Sequence, residues 1–451
     1  MTAPFARPRL FALTWPLLLE LLLGIGVGII GTALAARLSD DSGAAFGLAN
    51  QVFAAIFVFF RVIGAGVSVA VTQALGAGRR DQADAVARAT VGASTWLGAS
   101  GALAALVAAG PLLSMVNAPA EVAPLAGVLL RTLAPALLID ALNATMASVM
   151  RAHLRSREAL VVVVAIQLVT LTVALLAMPH LGLPGYALAC LCGRGVGLAL
   201  HITLWRTRLK LRLRAHDWWR LVPVPLATVL HIGVPGAAEN IFYRLAFMTS
   251  LAAVAQLGAL ALATHAYTMQ FLYVIMMFGL AISFAVEILV GHMIGAGNLH
   301  AAHKLVRKSL ALGLMMALAV SSSFALAGPW LLTRFTSDPH IIKLGCTLLW
   351  WSVLVEPGRV FNMLVINALR ATGDARFPVI AGTASMVVVL AGGSWFLGVY
   401  LGWGLVGIWI AYAADEWIRG LIMWRRWATL GWLPHARASH RKLRKSRSVL
   451  A

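Results

Sequence analysis

Twelve long apolar segments divide the chain, and they constrain its fold more than any other feature of the sequence. Each is long enough for a helix to cross a bilayer, which takes about 20 residues. None alternates between apolar and polar residues, as the strands of a membrane β-barrel would. The sequence therefore predicts an all-α membrane protein with twelve transmembrane helices. The predicted spans are residues 10–36, 44–72, 86–111, 121–149, 159–179, 184–205, 226–253, 258–291, 305–331, 341–367, 377–400 and 402–424.

The charged residues support this prediction by their number and their position. Only 12% of the 451 residues are charged, and the net charge is +20. A soluble domain carries roughly 25% charged residues. Of the 36 Lys and Arg residues, 27 lie at the termini and in the even-numbered loops, three lie in the odd-numbered loops and six lie within spans. This bias predicts that both termini are cytoplasmic, and it favours membrane orientation over nucleic-acid binding as the role of the charge.

One fixed offset of 219 residues relates the two halves of the chain. Such self-similarity indicates an internal structural repeat. The residues that recur at this offset are Pro16 and Pro235, Glu20 and Glu239, Gln51 and Gln270, Gly76-Ala77-Gly78 and Gly295-Ala296-Gly297, Arg88 and Arg307, Asn143 and Asn362, and Arg151-Ala152 and Arg370-Ala371.

Each repeat contains six predicted spans, so both halves enter the membrane in the same direction. We therefore expect two six-helix lobes related by a pseudo-two-fold axis along the membrane normal, as in alternating-access carriers. The predicted organisation is an N-terminal lobe (1–205), a basic cytoplasmic linker (206–225), a C-terminal lobe (226–425) and a basic cytoplasmic tail (426–451). In this tail the basic run from Arg437 to Arg447 fits either a solvated segment or contact with lipid headgroups.

The repeated segments resemble those of the multidrug and toxic compound extrusion (MATE) family. The similarity extends over about residues 10–425, and the combination of motifs carries it. The matching segments are Thr14–Glu20, Val71–Gly78 followed by Arg80-Asp81, Gly233–Pro235, Val290–Gly297 and Leu369–Pro378. In the family the first helix often carries an acid within a Val-Asp-Thr run, whereas this chain has Ile30-Gly31-Thr32 there.

The resemblance implies a V-shaped pair of lobes in the bacterial inner membrane. It implies an antiporter that exports bulky, often cationic or aromatic organic compounds in exchange for H⁺ or Na⁺. Its partners would then be small-molecule substrates and the lipid bilayer, with no nucleic acid, and we expect a monomer. A lipid-linked oligosaccharide flippase of a related superfamily is the alternative, although such proteins usually have additional spans.

Acidic residues inside the spans are the candidates for binding the coupling ion, because a charge in the bilayer is costly unless it is paired or hydrated. Five of the seven lie in the second half, so the C-terminal lobe is the favoured coupling site. Glu356 and Glu239 are the leading candidates, for a proton or for Na⁺. The seven residues are Glu20, Asp140, Glu239, Glu287, Glu356, Asp415 and Glu416.

Helical spacing places further polar residues beside these acids. Arg359, Arg244 and Arg419 lie three to five positions from an acid, where they could pair with it and adjust its proton affinity. The same pairs could instead be structural clamps between helices, the asparagines could be helix–helix hydrogen bonds, and the methionine could be lipid-facing packing. The candidates for a substrate cavity are Gln51, Asn143, Asn240, Tyr243, Gln270, Met277 and Asn362.

No sign of enzymatic chemistry occurs in the sequence. Cys190, Cys192 and Cys346 form no CxxC pair, and the histidines lack metal-ligand spacing. No GxxxxGK[ST] motif for nucleotide binding occurs. We therefore predict a protein that is not an enzyme and has no cofactor other than the coupling ion.

Overall fold

The computed structural model describes residues 10–115 and 119–445, except for the side chains of residues 57–59, 61, 62, 444 and 445. Within these residues the chain forms helices and no β-strand. The end of the predicted basic run, including Arg447, lies outside the described residues.

Twelve long helices follow one another along the chain, one for each predicted span. They are α1 (Leu10–Ala36), α2 (Asp40–Gly76), α3 (Arg80–Val107), α4 (Ala123–Ala152), α5 (Ser156–Leu181), α6 (Leu183–Leu204), α7 (Pro223–Gln256), α8 (Ala259–Gly295), α9 (Leu299–Leu326), α10 (Pro339–Ala371), α11 (Arg376–Tyr400) and α12 (Gly404–Ala428). A thirteenth helix, α13 (Leu433–Lys445), follows in the basic tail.

Ten of the twelve helices are long and apolar enough to cross a membrane. The other two are α2, whose apolar portion is Ile63–Gly76, and α12, whose middle carries Asp415, Glu416 and Arg419. These charges lie on an otherwise apolar helix and are buried. The all-α, twelve-helix fold predicted from the sequence is confirmed.

The predicted third and ninth spans are too long at their C-terminal ends. Helix α3 ends at Val107 and α9 ends at Leu326, and each is followed by a short separate helix, Ala109–Met115 or Gly328–Leu332. The apolar sequence continues through both breaks, so hydropathy alone does not reveal them. Both breaks obey the offset of 219 residues, which shows that the repeat extends to helix ends.

The described residues form two compact units. Unit 1 comprises residues 15–75 and 79–237, and unit 2 comprises residues 10–14, 76–78 and 238–445. In unit 1, α4 packs against α3 and α6, and α5 packs against α6. In unit 2, α10 packs against α8, α9 and α12. Because α10 has helices on several sides, the polar residues in its middle are buried.

Equivalent turns join the helices of each repeat. Gly78 and Gly297 both have positive φ, at 72° and 75°, and each ends the Gly-Ala-Gly segment before the next helix. After α4 and α10 the left-handed position is held by Leu154, with φ 61°, and by Gly373, with φ 93°. Glycine adopts this conformation without steric cost, whereas leucine does not. The backbone turn is therefore kept in both repeats while the residue differs.

Candidate functional site

Two helices of unit 2 bring five charged side chains together in the interior. We call Glu356 and Arg359 of α10 with Asp415, Glu416 and Arg419 of α12 the α10–α12 cluster. Arg359 Nη1 lies 2.5 Å from Glu356 Oε1, and its Nε lies 3.3 Å from Glu416 Oε1. Arg359 therefore bridges an acid on its own helix and an acid on the neighbouring helix.

The second arginine of the cluster binds the acids of its own helix. Arg419 Nη2 lies 2.7 Å from Asp415 Oδ2 and 3.0 Å from Glu416 Oε2. Ser385 Oγ of α11 donates to Asp415 Oδ1 at 2.7 Å. Asn362 Nδ2 donates to Glu416 Oε2 at 2.9 Å. Glu416 is thus held from several sides, which fixes its position.

The cluster contains three carboxyl groups and two guanidinium groups, so one carboxylate charge is left uncompensated when all five are ionised. Glu356 is fully buried, and its Oε2 has no hydrogen-bond partner within the described part of the chain. A buried charge without compensation is costly, and binding one monovalent cation removes the cost. The arrangement can therefore take up one proton or one Na⁺ ion, and Glu356 Oε2 is the free position.

Unit 1 has the equivalent pair with its charges exchanged. Asp140 on α4 corresponds by the repeat to Arg359, and it pairs with Arg194 on α6, whose Nε lies 2.6 Å from Asp140 Oδ2. One acid faces one arginine here, so the pair is neutral as it stands. The side chain of Asp140 is 17% exposed, whereas that of Glu356 is 1% exposed.

The repeated asparagines join the same two helices in each unit. In unit 1, Asn143 Nδ2 donates to the carbonyl of Arg194 at 2.9 Å, and its Oδ1 lies 2.9 Å from Nδ1 of His201. In unit 2, Asn362 binds Glu416, as described above. Both residues therefore make hydrogen bonds between helices, which was the alternative to a cavity role.

A second ion pair occurs identically in both repeats. Glu20 Oε2 of α1 lies 2.8 Å from Arg151 Nη1 of α4, and Glu239 of α7 pairs in the same way with Arg370 of α10. Both pairs span 131 residues along the chain. The sequence analysis identified all four residues as repeats but did not pair them. The shared offset of glutamate and arginine was the signal that could have done so.

The remaining sequence candidates lie outside these contacts. Glu287 of α8 and Met277 are buried, and Asn240 and Tyr243 are half-buried. Arg244, Gln51 and Gln270 are exposed on α7, α2 and α8. Tyr243 is tied to the cluster, because its ring lies 5.7 Å from the Arg419 guanidinium carbon. The structure does not bring Arg244 to any of the described carboxylates.

An aromatic group extends from the cluster within unit 2. His265 lies 6.0 Å from Tyr412, 6.2 Å from Trp409 and 6.3 Å from Phe247, all measured between ring centres. Phe247 in turn stacks on Tyr243 at 6.3 Å. These rings offer flat apolar surface and π-faces that attract cations. Sequence spacing did not identify this group, because its members come from α7, α8 and α12.

Within the described residues, no group of three or more His, Cys, Asp or Glu side chains is arranged to hold a resident metal ion. The chemistry offered by the α10–α12 cluster is therefore reversible binding of a single cation as cargo.

Comparison with known proteins gives the family. The family model for MatE matches residues 16–194 and 235–395. The transporter YisQ of Bacillus subtilis is 33% identical over 430 residues, which cover 94% of each chain. The probable multidrug resistance protein NorM of Thermotoga maritima is 25% identical over 91% of this chain and 90% of its own.

Solved structures show the same fold. A transporter of the MOP superfamily from Pyrococcus furiosus superposes with a TM-score of 0.86 at 19% identity, over 95% of this chain and 96% of that one. The MATE transporter VcmN from Vibrio cholerae, in its bent form, gives a TM-score of 0.83 at 20% identity, over 95% of this chain and 97% of that one. With its duplicated six-helix architecture and a family match in both halves, the chain belongs to the MatE family of membrane transporters.

Proposed function

We propose that the protein is a cation-coupled antiporter that exports bulky, cationic or aromatic organic compounds by alternating access. The observation that carries the proposal is the α10–α12 cluster, with three buried acids, two arginines and a free Glu356 Oε2. A second support is the name of its NorM relatives, which are described as probable multidrug resistance proteins.

The coupling cation binds at Glu356 in this proposal. Neutralising Glu356 weakens its attraction for Arg359, which then binds Glu416 alone. A local change of this kind biases two conformations of a transporter if the cation prefers one of them. Antiport follows when the organic substrate prefers the other, because the two ligands then oppose each other's binding. Glu239 is the second candidate, and its carboxylate lies within electrostatic reach of Arg419.

The aromatic group beside the cluster is a candidate surface for the organic substrate. Tyr243 contacts both the Arg419 guanidinium and the ring of Phe247. A substrate on these rings would therefore be near the carboxylates that take up the cation. The exposed Gln51 and Gln270 are further candidates for substrate contact. We further propose a monomer in a bacterial inner membrane, with both termini in the cytoplasm.

Transport by the purified protein in liposomes tests the proposal. Efflux of a cationic dye is measured while a ΔpH or a ΔpNa is imposed separately. We expect dye movement to respond to one of the gradients, and Glu356→Gln to abolish the response while the protein stays folded by gel filtration. Dye movement that ignores both gradients would contradict antiport.

A matched control in unit 1 makes the test specific. The double variant Asp140→Asn with Arg194→Gln removes a neutral buried pair at the equivalent position. We expect its coupled efflux to remain, because the α10–α12 cluster is untouched. Equal loss in both variants would indicate that intramembrane ion pairs serve folding alone. Translocation of a lipid-linked sugar in the absence of dye transport would favour the flippase instead.

A further inference from the structure

The basic helix α13 packs against the ends of the helices of unit 2 and leaves a cationic groove there. Trp432, just before α13, stacks on Trp427 of α12 at 4.6 Å, and Ala436 is fully buried. His440 Nδ1 donates to the carbonyl oxygen of Gly295 at 3.0 Å. Because a carbonyl only accepts, Nδ1 carries the proton. These contacts fix α13 beside the turn between α8 and α9.

Six residues line the groove between α13 and this turn: Gly297, Leu299, Ala436, Arg437, His440 and Arg441. Arg437 and Arg441 are one helical turn apart and are both exposed. Neither has an ion pair among the described side chains. The sequence of α13 contains no acidic residue. The groove therefore holds two guanidinium groups without a local counter-charge.

The first turn of α9 adds to the positive potential of the groove. Leu299 is the first residue of α9 and lines the groove. The N-terminal end of a helix carries a partial positive charge and favours anions. Two arginines on one helix face can bind the oxygens of a phosphate group through paired hydrogen bonds. The chemistry of the groove thus fits a phosphate monoester or diester.

The position of α13 identifies the source of that phosphate. The helix begins at Leu433, shortly after the membrane-crossing helix α12 ends at Ala428. Such a short connection keeps α13 near the bilayer surface, since each residue spans at most about 3.6 Å. Basic residues next to a transmembrane helix attract anionic headgroups. We propose that the groove binds the phosphate of an anionic phospholipid from the adjacent leaflet.

Lipid titration of the full-length protein in neutral detergent tests this site. Short-chain phosphatidylglycerol is added, and stabilisation is followed as the shift of the thermal unfolding midpoint. We expect saturable stabilisation, with no effect of short-chain phosphatidylcholine. Each juxtamembrane arginine contributes about fivefold in affinity, so Arg437→Gln with Arg441→Gln should weaken binding about thirty-fold. Both side chains are exposed and unpaired, so the variant should unfold like the wild type without lipid.

A charge-matched control separates the groove from general attraction. Arg208→Gln with Arg212→Gln removes the same charge from the exposed linker of unit 1. It should bind phosphatidylglycerol like the wild type. Wild-type affinity in the α13 variant would overturn the proposal, as would equal weakening in both variants. If inorganic phosphate stabilises the wild type as strongly as the lipid does, the ligand is a soluble phosphate and the lipid site is refuted.

Discussion

The two units place charged residues at equivalent positions and compensate them differently. On α4 and α6 of unit 1, Asp140 and Arg194 form a partly exposed pair with no net charge. On α10 and α12 of unit 2, three acids share two arginines in the dry interior. The Glu20–Arg151 and Glu239–Arg370 pairs, by contrast, are the same in both units. The repeat therefore preserved one ion pair as a structural element and changed the other into a group with room for a cation.

The largest expected effect comes from removing the arginine that bridges the α10–α12 cluster. Arg359→Gln leaves three buried carboxyl groups with one guanidinium, and breaking a buried pair costs about 3–5 kcal/mol of unfolding free energy. Arg194→Gln should cost about half as much, because its side chain and that of Asp140 are less buried. Unfolding in mixed micelles with increasing SDS measures both. Equal losses would remove the difference between the units.

An exchange of charges tests whether the two arrangements are interchangeable. Asp140→Arg with Arg194→Asp gives unit 1 the polarity that α10 and α12 have in unit 2. Each single change places two like charges together, whereas the double change restores a pair. The double variant should therefore recover at least about 1–2 kcal/mol relative to the sum of the single variants. A double-mutant cycle on the unfolding free energies measures the recovery, and strictly additive losses would contradict the equivalence.

The shared ion pairs should respond alike. Glu20→Gln and Glu239→Gln each weaken a charge-assisted hydrogen bond to an arginine, at about 2 kcal/mol. Their carboxylates are equally exposed, at 10%. We expect the two losses of unfolding free energy to agree within about 0.5 kcal/mol. Loss of folding in one variant and none in the other would show that only one pair is structural.

The smallest effect concerns the turn after α4 and α10. Leu154 has a φ of 61°, in the region where leucine is strained by about 1–2 kcal/mol, and glycine occupies the equivalent position 373. Leu154→Gly should raise the free energy of unfolding by up to about 1 kcal/mol, and Gly373→Leu should lower it by at least as much. Thermal unfolding of the two variants checks the opposite signs. A lower midpoint for Leu154→Gly would show that its side-chain contacts outweigh backbone strain.

Hydropathy and the repeat predicted most of the fold, because both are encoded in local residue types. The twelve helices follow from the apolar runs, and the equivalence of Glu20 with Glu239 follows from the offset. Helical spacing also predicted that Glu356 and Arg359 pair along α10. The ends of α3 and α9 were missed, because a break within an apolar segment leaves no change in composition.

Contacts between helices were harder to predict than contacts along one helix. Arg194, Arg151 and Arg370 each bind an acid on a different helix, and sequence spacing does not say which helices are neighbours. The aromatic group around His265 was missed for the same reason. Arg244, only five positions after Glu239, faces outward instead, since a helix surface turns away within a few residues.

The uncompensated carboxyl group in unit 2 is the central claim, and infrared spectroscopy of the purified protein tests it most directly. In Na⁺-free buffer, acidification should produce the C=O band of one protonated buried carboxyl group, and the band should shift in D₂O. The account predicts that Glu356→Gln removes this band and that Asp140→Asn with Arg194→Gln retains it. A band that persists in Glu356→Gln, or one that disappears with the unit 1 pair, would contradict the account.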